Sequence, residues 1–338
     1  MNSKQIAELA NVSRSTVSRV LNNYSNVPTE TREKVQKIID KYGYTPNHCA
    51  RNLAGKSNNI IGFFLADINE TNSPNKWIGV KSPYNIEFMS QLIIECKNRD
   101  FLTLVNTFSS HSECSQMMQY FDNRMLSGGI FLGFSYKTKI IDEIAKKNHN
   151  AVFVDQFNSS DDPNNILKLV NTDNILGGYK ATKYLIEKGH KKIAHISGDQ
   201  RLSSLQRQQG YLQAMKENNL QSYIIKGSFR EDISYQQTKI MLDNYIPTAI
   251  FAANDIIASG CLTAINEKGL SVPDDISLIG FDNISSSEWF KTELTTLNID
   301  MSELVNKSVS LLLDDNIPNK HILCKPNLIE KNTVKTLI

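Results

Sequence analysis

The sequence predicts two folds in one chain: an N-terminal all-α helix-turn-helix module, then an α/β body of two doubly wound subdomains. Three observations carry this. The 338-residue chain is nearly neutral at +2, yet residues 1–57 hold nine Lys/Arg against four acids, net +5, and the remainder nets −3. Apolar spacing is helical before Lys56 and changes afterwards to apolar runs alternating with helices. Those runs come in two series, which predicts two parallel sheets, each covered by helices.

At the N-terminus, "SKQIAELA" places Ile6, Ala7, Leu9 and Ala10 on one helical face, with Ser3 as candidate N-cap. "NVS" reads as a turn. Ser13 then caps a second helix with Val17, Val20 and Leu21 inward. "VPTETREKVQKIIDKYGY" is a third helix, begun by Pro28 and Thr29, packed through Val35, Ile38 and Ile39 and ended by Gly43. In a helix-turn-helix the second helix enters the DNA major groove, N-terminal residues first. The candidate DNA-contacting set is therefore Ser13, Arg14, Ser15, Thr16, Ser18, Arg19 and Asn22. Arginine bonds guanine O6 and N7 bidentately, and hydroxyls reach bases or phosphates. The plain alternative is a solvated helix face. Basic charge and the tight turn favour DNA.

In the body, strands are expected at 60–67, 102–107, 128–134 and 151–157, then at 192–198, 222–229, 248–255 and 276–283. Ligands of open α/β sheets bind beyond the carboxyl ends of the strands. That rule selects Asp67, Asp155, Asn254 with Asp255, and Asp282; Asp255 reads as a helix cap. Carboxylates and amides converging on one cleft make paired hydrogen bonds to hydroxyls, so polyols such as sugars are the matching ligand class. The five cysteines show no CxxC pair and the six histidines no metal-ligand spacing, so no metal or cofactor is expected. No nucleophile elbow or phosphate-cradling loop supports an enzyme. With no signal peptide and no membrane-length apolar window, a cytoplasmic protein is expected.

"IAELANVSRSTVSRVLNN", "VPTETREKVQKIIDKYGYTPN" and "ARNLAGK" closely resemble the lactose-repressor (LacI/GalR) family of bacterial transcription regulators. "QRQQGY", "FAANDIIASG" and "SLIGFDN" resemble that family's effector-binding domain, which is similar to periplasmic sugar-binding proteins. The resemblance implies a DNA-binding domain at 1–45, a hinge helix and linker at 46–57, and an effector domain at 58–338. The effector domain would divide into an N-subdomain (about 58–160 and 299–321) and a C-subdomain (about 163–296 and 323–338). In the hinge it implies DNA contacts by Asn47, Arg51 and Leu53, with Leu53 as a wedge between base pairs. It implies effector contacts by Arg207, Asn254, Asp282 and Asp155, with Phe229 either against a sugar face or in the core, and adds Asp67 and Tyr84. The partners implied are operator DNA, a second copy and a small effector, a sugar first and a purine or other corepressor second. A sugar-binding protein without DNA activity is the further alternative. Departures include an insertion around 69–82 carrying Trp77, and Thr292-Glu293 where the family has proline. No heptad tail follows "LIEKNTVKTLI", which leads us to expect a dimer.

Overall fold

The computed structural model describes residues 2–21, 24–43, 59–66, 82–108, 111–133, 139–155, 167–284 and 293–337. The chain forms two units, one of Met1–Asn58 grouped with Asn123–Met125 and a body in which Asn59–Asp122 and Leu126–Ile338 fold together.

In the first unit, α1 (Ser3–Ala10) opens with a capping box. The Asn2 side chain accepts from the amides of Lys4 and Gln5, and the Gln5 side chain accepts from the Asn2 amide at 2.8 Å. The cap is thus Asn2 and not Ser3, because asparagine three residues ahead of glutamine permits the reciprocal pair. Ser3 Oγ instead accepts from Arg14 at 3.3 Å. Asn11 ends α1 in the left-handed region (φ 51°), which asparagine tolerates, and turns the chain into α2 (Arg14–Leu21). Ser13 caps α2 as expected, its Oγ accepting from the Thr16 amide at 3.1 Å. α3 (Thr29–Tyr42) ends at Gly43, φ 57°. Ile6, Ala7, Ala10, Val17, Val20, Val35 and Ile39 form the core of this unit. Val17 and Val20 lie three apart, so they fill one face of α2 and leave Arg14, Ser15, Ser18 and Arg19 exposed on another.

The body begins with β1 (Ile60–Ala66), α4 (Pro83–Asn98), β2 (Leu102–Phe108), α5 (His111–Asp122), β3 (Gly128–Leu132), α6 (Lys139–Lys146), β4 (Ala151–Val154) and β5 (Lys168–Thr172). It continues with α7 (Asn174–Glu187), β6 (Ile193–Ile196), α8 (Leu202–Glu217), β7 (Tyr223–Ile225), α9 (Glu231–Asn244), β8 (Ala249–Ala252), α10 (Asp255–Glu267) and β9 (Ser277–Asp282). β10 (Thr295–Asn298), α11 (Met301–Leu313), β11 (His321–Cys324) and β12 (Asn327–Ile329) complete it. The first sheet, in the order β11-β5-β4-β3-β1-β2, is wholly parallel. The second, β12-β10-β9-β8-β6-β7, is parallel except for the β10–β12 pair. Both faces of such strands are covered, which is why β3, β4, β6 and β8 are buried throughout.

One apolar cluster runs from Phe63 and Phe88 in the first lobe to Phe281 and Leu297 in the second. A separate aromatic knot of Phe64, Phe108, Phe121, Phe131 and Phe153 packs the other face of the first sheet, with Phe64 and Phe131 centroids 4.9 Å apart. Such ring pairs each add roughly 0.5–1.5 kcal/mol beyond area burial.

The subdomain borders differ from those expected. β5 belongs to the first sheet, so the first crossover follows Thr172 and does not lie near 160–163. β11 also joins the first sheet, moving the last crossover beyond Cys324. Both strands are short and partly polar ("KLVNT", "HILC"), so periodicity does not mark them. The second-series strand expected at 222–229 is paired only over Tyr223–Ile225. Among the described residues, Cys96, Cys261 and Cys324 are buried free thiols.

Candidate functional site

Two faces deserve a functional reading. On the first unit, the exposed side of α2 carries the hydroxyls of Ser13 and Ser15, 2.7 Å apart, and Ser13 to Thr16 at 2.8 Å. Arg14 and Arg19 stand on the same exposed surface. Asn22, and Asn47, Arg51 and Leu53 of the segment expected to form a hinge, lie outside the described residues, as does Asp67.

In the body, the carboxyl ends of β4 and β9 bring two acids together. Asp155 ends β4 at φ 58° and Asp282 ends β9 at φ 103°, both left-handed and unusual for aspartate. Such backbone persists only where surrounding contacts fix it, and both sites supply them. Asp155 Oδ1 accepts from the Thr172 amide at 2.6 Å, and its Oδ2 accepts a short hydrogen bond from Tyr84 Oη at the start of α4. Asp282 pairs with Arg207 of α8 at 3.2 Å, both side chains only 6% exposed. Its Oδ1 is buried and accepts no well-formed hydrogen bond.

Arg207 is fixed from several sides. Nε donates to Asn174 Oδ1 at 2.8 Å and Nη1 to the Ala253 carbonyl at 2.7 Å. The guanidinium carbon lies 3.7 Å from the Phe281 ring centroid. Its placement requires α7 and α8 to touch. A Cβ on Gly178 would stand 2.1 Å from the Arg207 carbonyl oxygen, and one on Gly210 would stand 2.1 Å from that of Ile175.

Asn254 is the N-cap of α10, accepting from the Ile257 amide at 3.0 Å, while its side chain also bonds Asp282. Asp255 is therefore not the cap. It is buried below the site, accepting from Thr296 Oγ1 at 2.7 Å and from the Ile284 amide at 2.9 Å. Phe229 is half-buried, its ring against Gly198, with the Arg201 guanidinium 4.7 Å from its centroid. Arg201 is in turn forked onto Asp199 at 2.7 Å.

The electrostatics tie the lobes together. Burial pushes the Asp282 carboxyl up to about 6; Arg207 and Asn254 pull it down, and Asp155 in the other lobe pushes it up. Burial and the neighbouring Asp282 push Asp255 up to about 7. Tyr84 is held well above the usual phenol range by burial, then by Asp155, with Asp282 adding to it. Of the expected effector residues, Tyr84, Asp155, Arg207, Asn254 and Asp282 thus meet at one place. Phe229 is held in its own cluster with Gly198 and Arg201. Sequence reasoning missed Thr172 and Asn174, which join Asp155 to Arg207; the polar residues in "NTDN" on a parallel-strand end are the signal that was available.

A basic three-helix module with an exposed hydroxyl- and arginine-bearing helix, and a two-lobed α/β body with polar residues at strand ends, define a helix-turn-helix regulator with a periplasmic-binding-type domain. Residues 4–47 match the bacterial regulatory proteins of the lacI family, and residues 182–334 match the periplasmic binding protein-like domain. The HTH-type transcriptional repressor PurR of Histophilus somni (strain 129Pt) is 32% identical over 347 residues, covering 99% of each chain. PurR of Pasteurella multocida (strain Pm70) is 31% identical over 317 residues, covering 92% of this chain and 90% of its own. The structure also resembles the Lac repressor dimer bound to operator and the anti-inducer ONPF, with 27% identity, a TM-score of 0.83 and 98% of each chain covered. The CelR–cellobiose complex, at 22% identity and TM-score 0.70 over 98% of this chain and 99% of its own, shares the fold. The chain belongs to the lacI family of bacterial regulatory proteins and is a DNA-binding transcriptional repressor.

Proposed function

We propose that this repressor acts on carbohydrate-utilisation genes as a cytoplasmic homodimer and is controlled by a small sugar held between the lobes of its body. The observation that carries the reading is the facing pair Asp155 and Asp282, with Tyr84 and Arg207 beside them. Two carboxylates accept from vicinal hydroxyls, and Arg207, three of whose five N–H groups serve the partners above, has donors left for hydroxyl oxygens. In this reading α2 of each copy enters a major groove and the 46–57 segments pair in the minor groove, Leu53 as the wedge. Effector binding alters lobe closure and so the spacing of the two hinge segments. In this reading the cleft binds its ligand without turning it over, which the naming of relatives as transcriptional repressors supports.

A second reading has a specific support: the relatives of 29–32% identity named above and their neighbours are called PurR, so a purine corepressor would act through the same cleft. One experiment separates the two. Palindromic DNA selected from a random pool is titrated by fluorescence anisotropy with cellobiose, ribose and other neutral sugars, and with purine bases. Release by one sugar supports the first reading; tightening by a purine replaces it with the second. Selection of no DNA would leave a ligand-binding body without the proposed operator function.

A further inference from the structure

The body passes between its two sheets three times, at Thr172–Asn174, at Asn298–Met301 and at Cys324–Asn327. Polar bonds from the cleft run into these crossovers. Thr172 donates its amide to Asp155 and accepts from Asn174 Nδ2 at its carbonyl, 3.1 Å. Asn174 Oδ1 accepts from Arg207 Nε, and Arg207 pairs with Asp282. The series therefore starts at the carboxylate of one lobe and ends at the carboxylate of the other. The Asp173 amide donates to the Cys324 carbonyl at 2.8 Å, joining the first crossover to the third. Asn283, next to Asp282, donates to Asn298 at 3.0 Å, reaching the second. Thr172 and Asn174 are both 2% exposed, so no water competes for these bonds.

We propose that Asn174 is a positioning residue that makes the first crossover respond to the charge and placement of Asp282 through Arg207. The inference rests on the reading of the cleft as the effector site. An asparagine amide has one donating and one accepting end. Here the donating end holds the crossover backbone and the accepting end holds the arginine that answers Asp282. A ligand that draws Asp282 or Arg207 toward itself must reorient Asn174, and with it the backbone about which the lobes turn. Arg207 keeps its bond to Ala253 when Asn174 is cut, so the crossover is released without freeing the arginine.

The test is amide hydrogen exchange on the full-length protein without ligand, with Asp282→Asn removing the charge that a ligand would otherwise screen. In the otherwise unchanged chain, Asp282→Asn is expected to speed exchange in the Lys168–Leu176 peptide about threefold or more. In an Asn174→Ala background the same substitution should add nothing there. Should Asn174→Ala fold poorly, Asn174→Asp serves, since it keeps the acceptor for Arg207 and loses the donor to Thr172. An equal acceleration in every background overturns the proposal, as does no acceleration or a uniform one across the whole body. No effector enters the measurement, so a failed effector panel and a failed relay are separate results.

Discussion

Gly178 and Arg207 meet backbone to backbone, with room for no side chain: a Cβ on the glycine would stand 2.1 Å from the arginine carbonyl oxygen. Gly178→Ala must therefore push α7 and α8 apart, because the obstacle is backbone and cannot rotate away. Overpacking of this kind costs about 1–3 kcal/mol. We expect a lower denaturation midpoint with an unchanged m-value. We also expect effector binding to weaken more than stability suggests, since Arg207 is carried on the displaced helix. A variant of normal stability and normal effector affinity would show that the helix contact is softer than its geometry indicates.

The Arg207–Asp282 pair is buried on both sides. Removing one partner of such a pair leaves a desolvated charge, and losses of roughly 3–5 kcal/mol are typical. Arg207→Leu should fall in this range by urea unfolding at pH 8. Adding Asp282→Asn should recover part of the loss, because the stranded charge is then gone. If the double variant were as unstable as the sum of the two single ones, the pair would not be the source of the penalty.

The acids beneath the site set a pH dependence. Asp255 is pushed up to about 7 and Asp282 to about 6, from an ordinary aspartate near 3.8. Between roughly pH 4 and 7 the folded chain thus holds protons that the unfolded chain has released. Their stabilisation is complete below pH 4 and is lost as the pH rises through 6 to 7. The two carboxyls repel each other, so they titrate as a pair. Buried His195, stacked on Tyr211 and Phe251 and pushed down to about 4, acts with the opposite sign, destabilising the fold as the pH falls below its ordinary value of 6.5. Comparison with Asp255→Asn cancels the histidine. The variant keeps an acceptor oxygen for the Ile284 amide and turns its NH2 to the Thr296 hydroxyl, which can accept, so whatever the exchange costs does not vary with pH. The melting-temperature gap between the parent and Asp255→Asn should therefore be widest at about pH 4, shrink as the pH rises towards 7 and be narrow by pH 8. A gap independent of pH would place Asp255's titration outside this window.

The fold was readable from the sequence where burial imposes a period. β3, β4, β6 and β8 are continuous apolar runs because both faces are covered, and α1 to α3 show their inward valines and isoleucines directly. β5 and β11 escaped because edge and near-edge positions tolerate Lys168, Asn171 and His321. At the site, Asp155 and Asp282 were legible as acids at strand ends, but their left-handed backbone was not, since nothing in "VFVD" or "GFDN" calls for a positive φ. The Ser3 and Asp255 assignments failed alike: a neighbouring asparagine, Asn2 or Asn254, was better placed to accept the first-turn amides. Asn174 could be seen as a polar residue beside a helix start, but its pairing with Arg207, 33 positions away, is a fact of tertiary packing.

On the first unit, Arg14 offers the most direct check of groove reading. It begins α2, the position from which recognition helices address base edges, and it is exposed. Its contact to Ser3 is an exposed bond of 3.3 Å, so its loss should leave thermal unfolding of the unit nearly unchanged. Loss of a bidentate base contact costs about 1–3 kcal/mol and relaxes preference at that base. Loss of a phosphate contact would instead weaken all sequences alike and lower the salt slope by about one. We expect the first outcome for Arg14→Ala. Anisotropy titrations on the selected palindrome and on scrambled DNA, across a range of salt, decide it. Affinity for the palindrome should fall while scrambled-DNA binding and its salt slope hold. A uniform fall on both would move Arg14 from the base edges to the backbone.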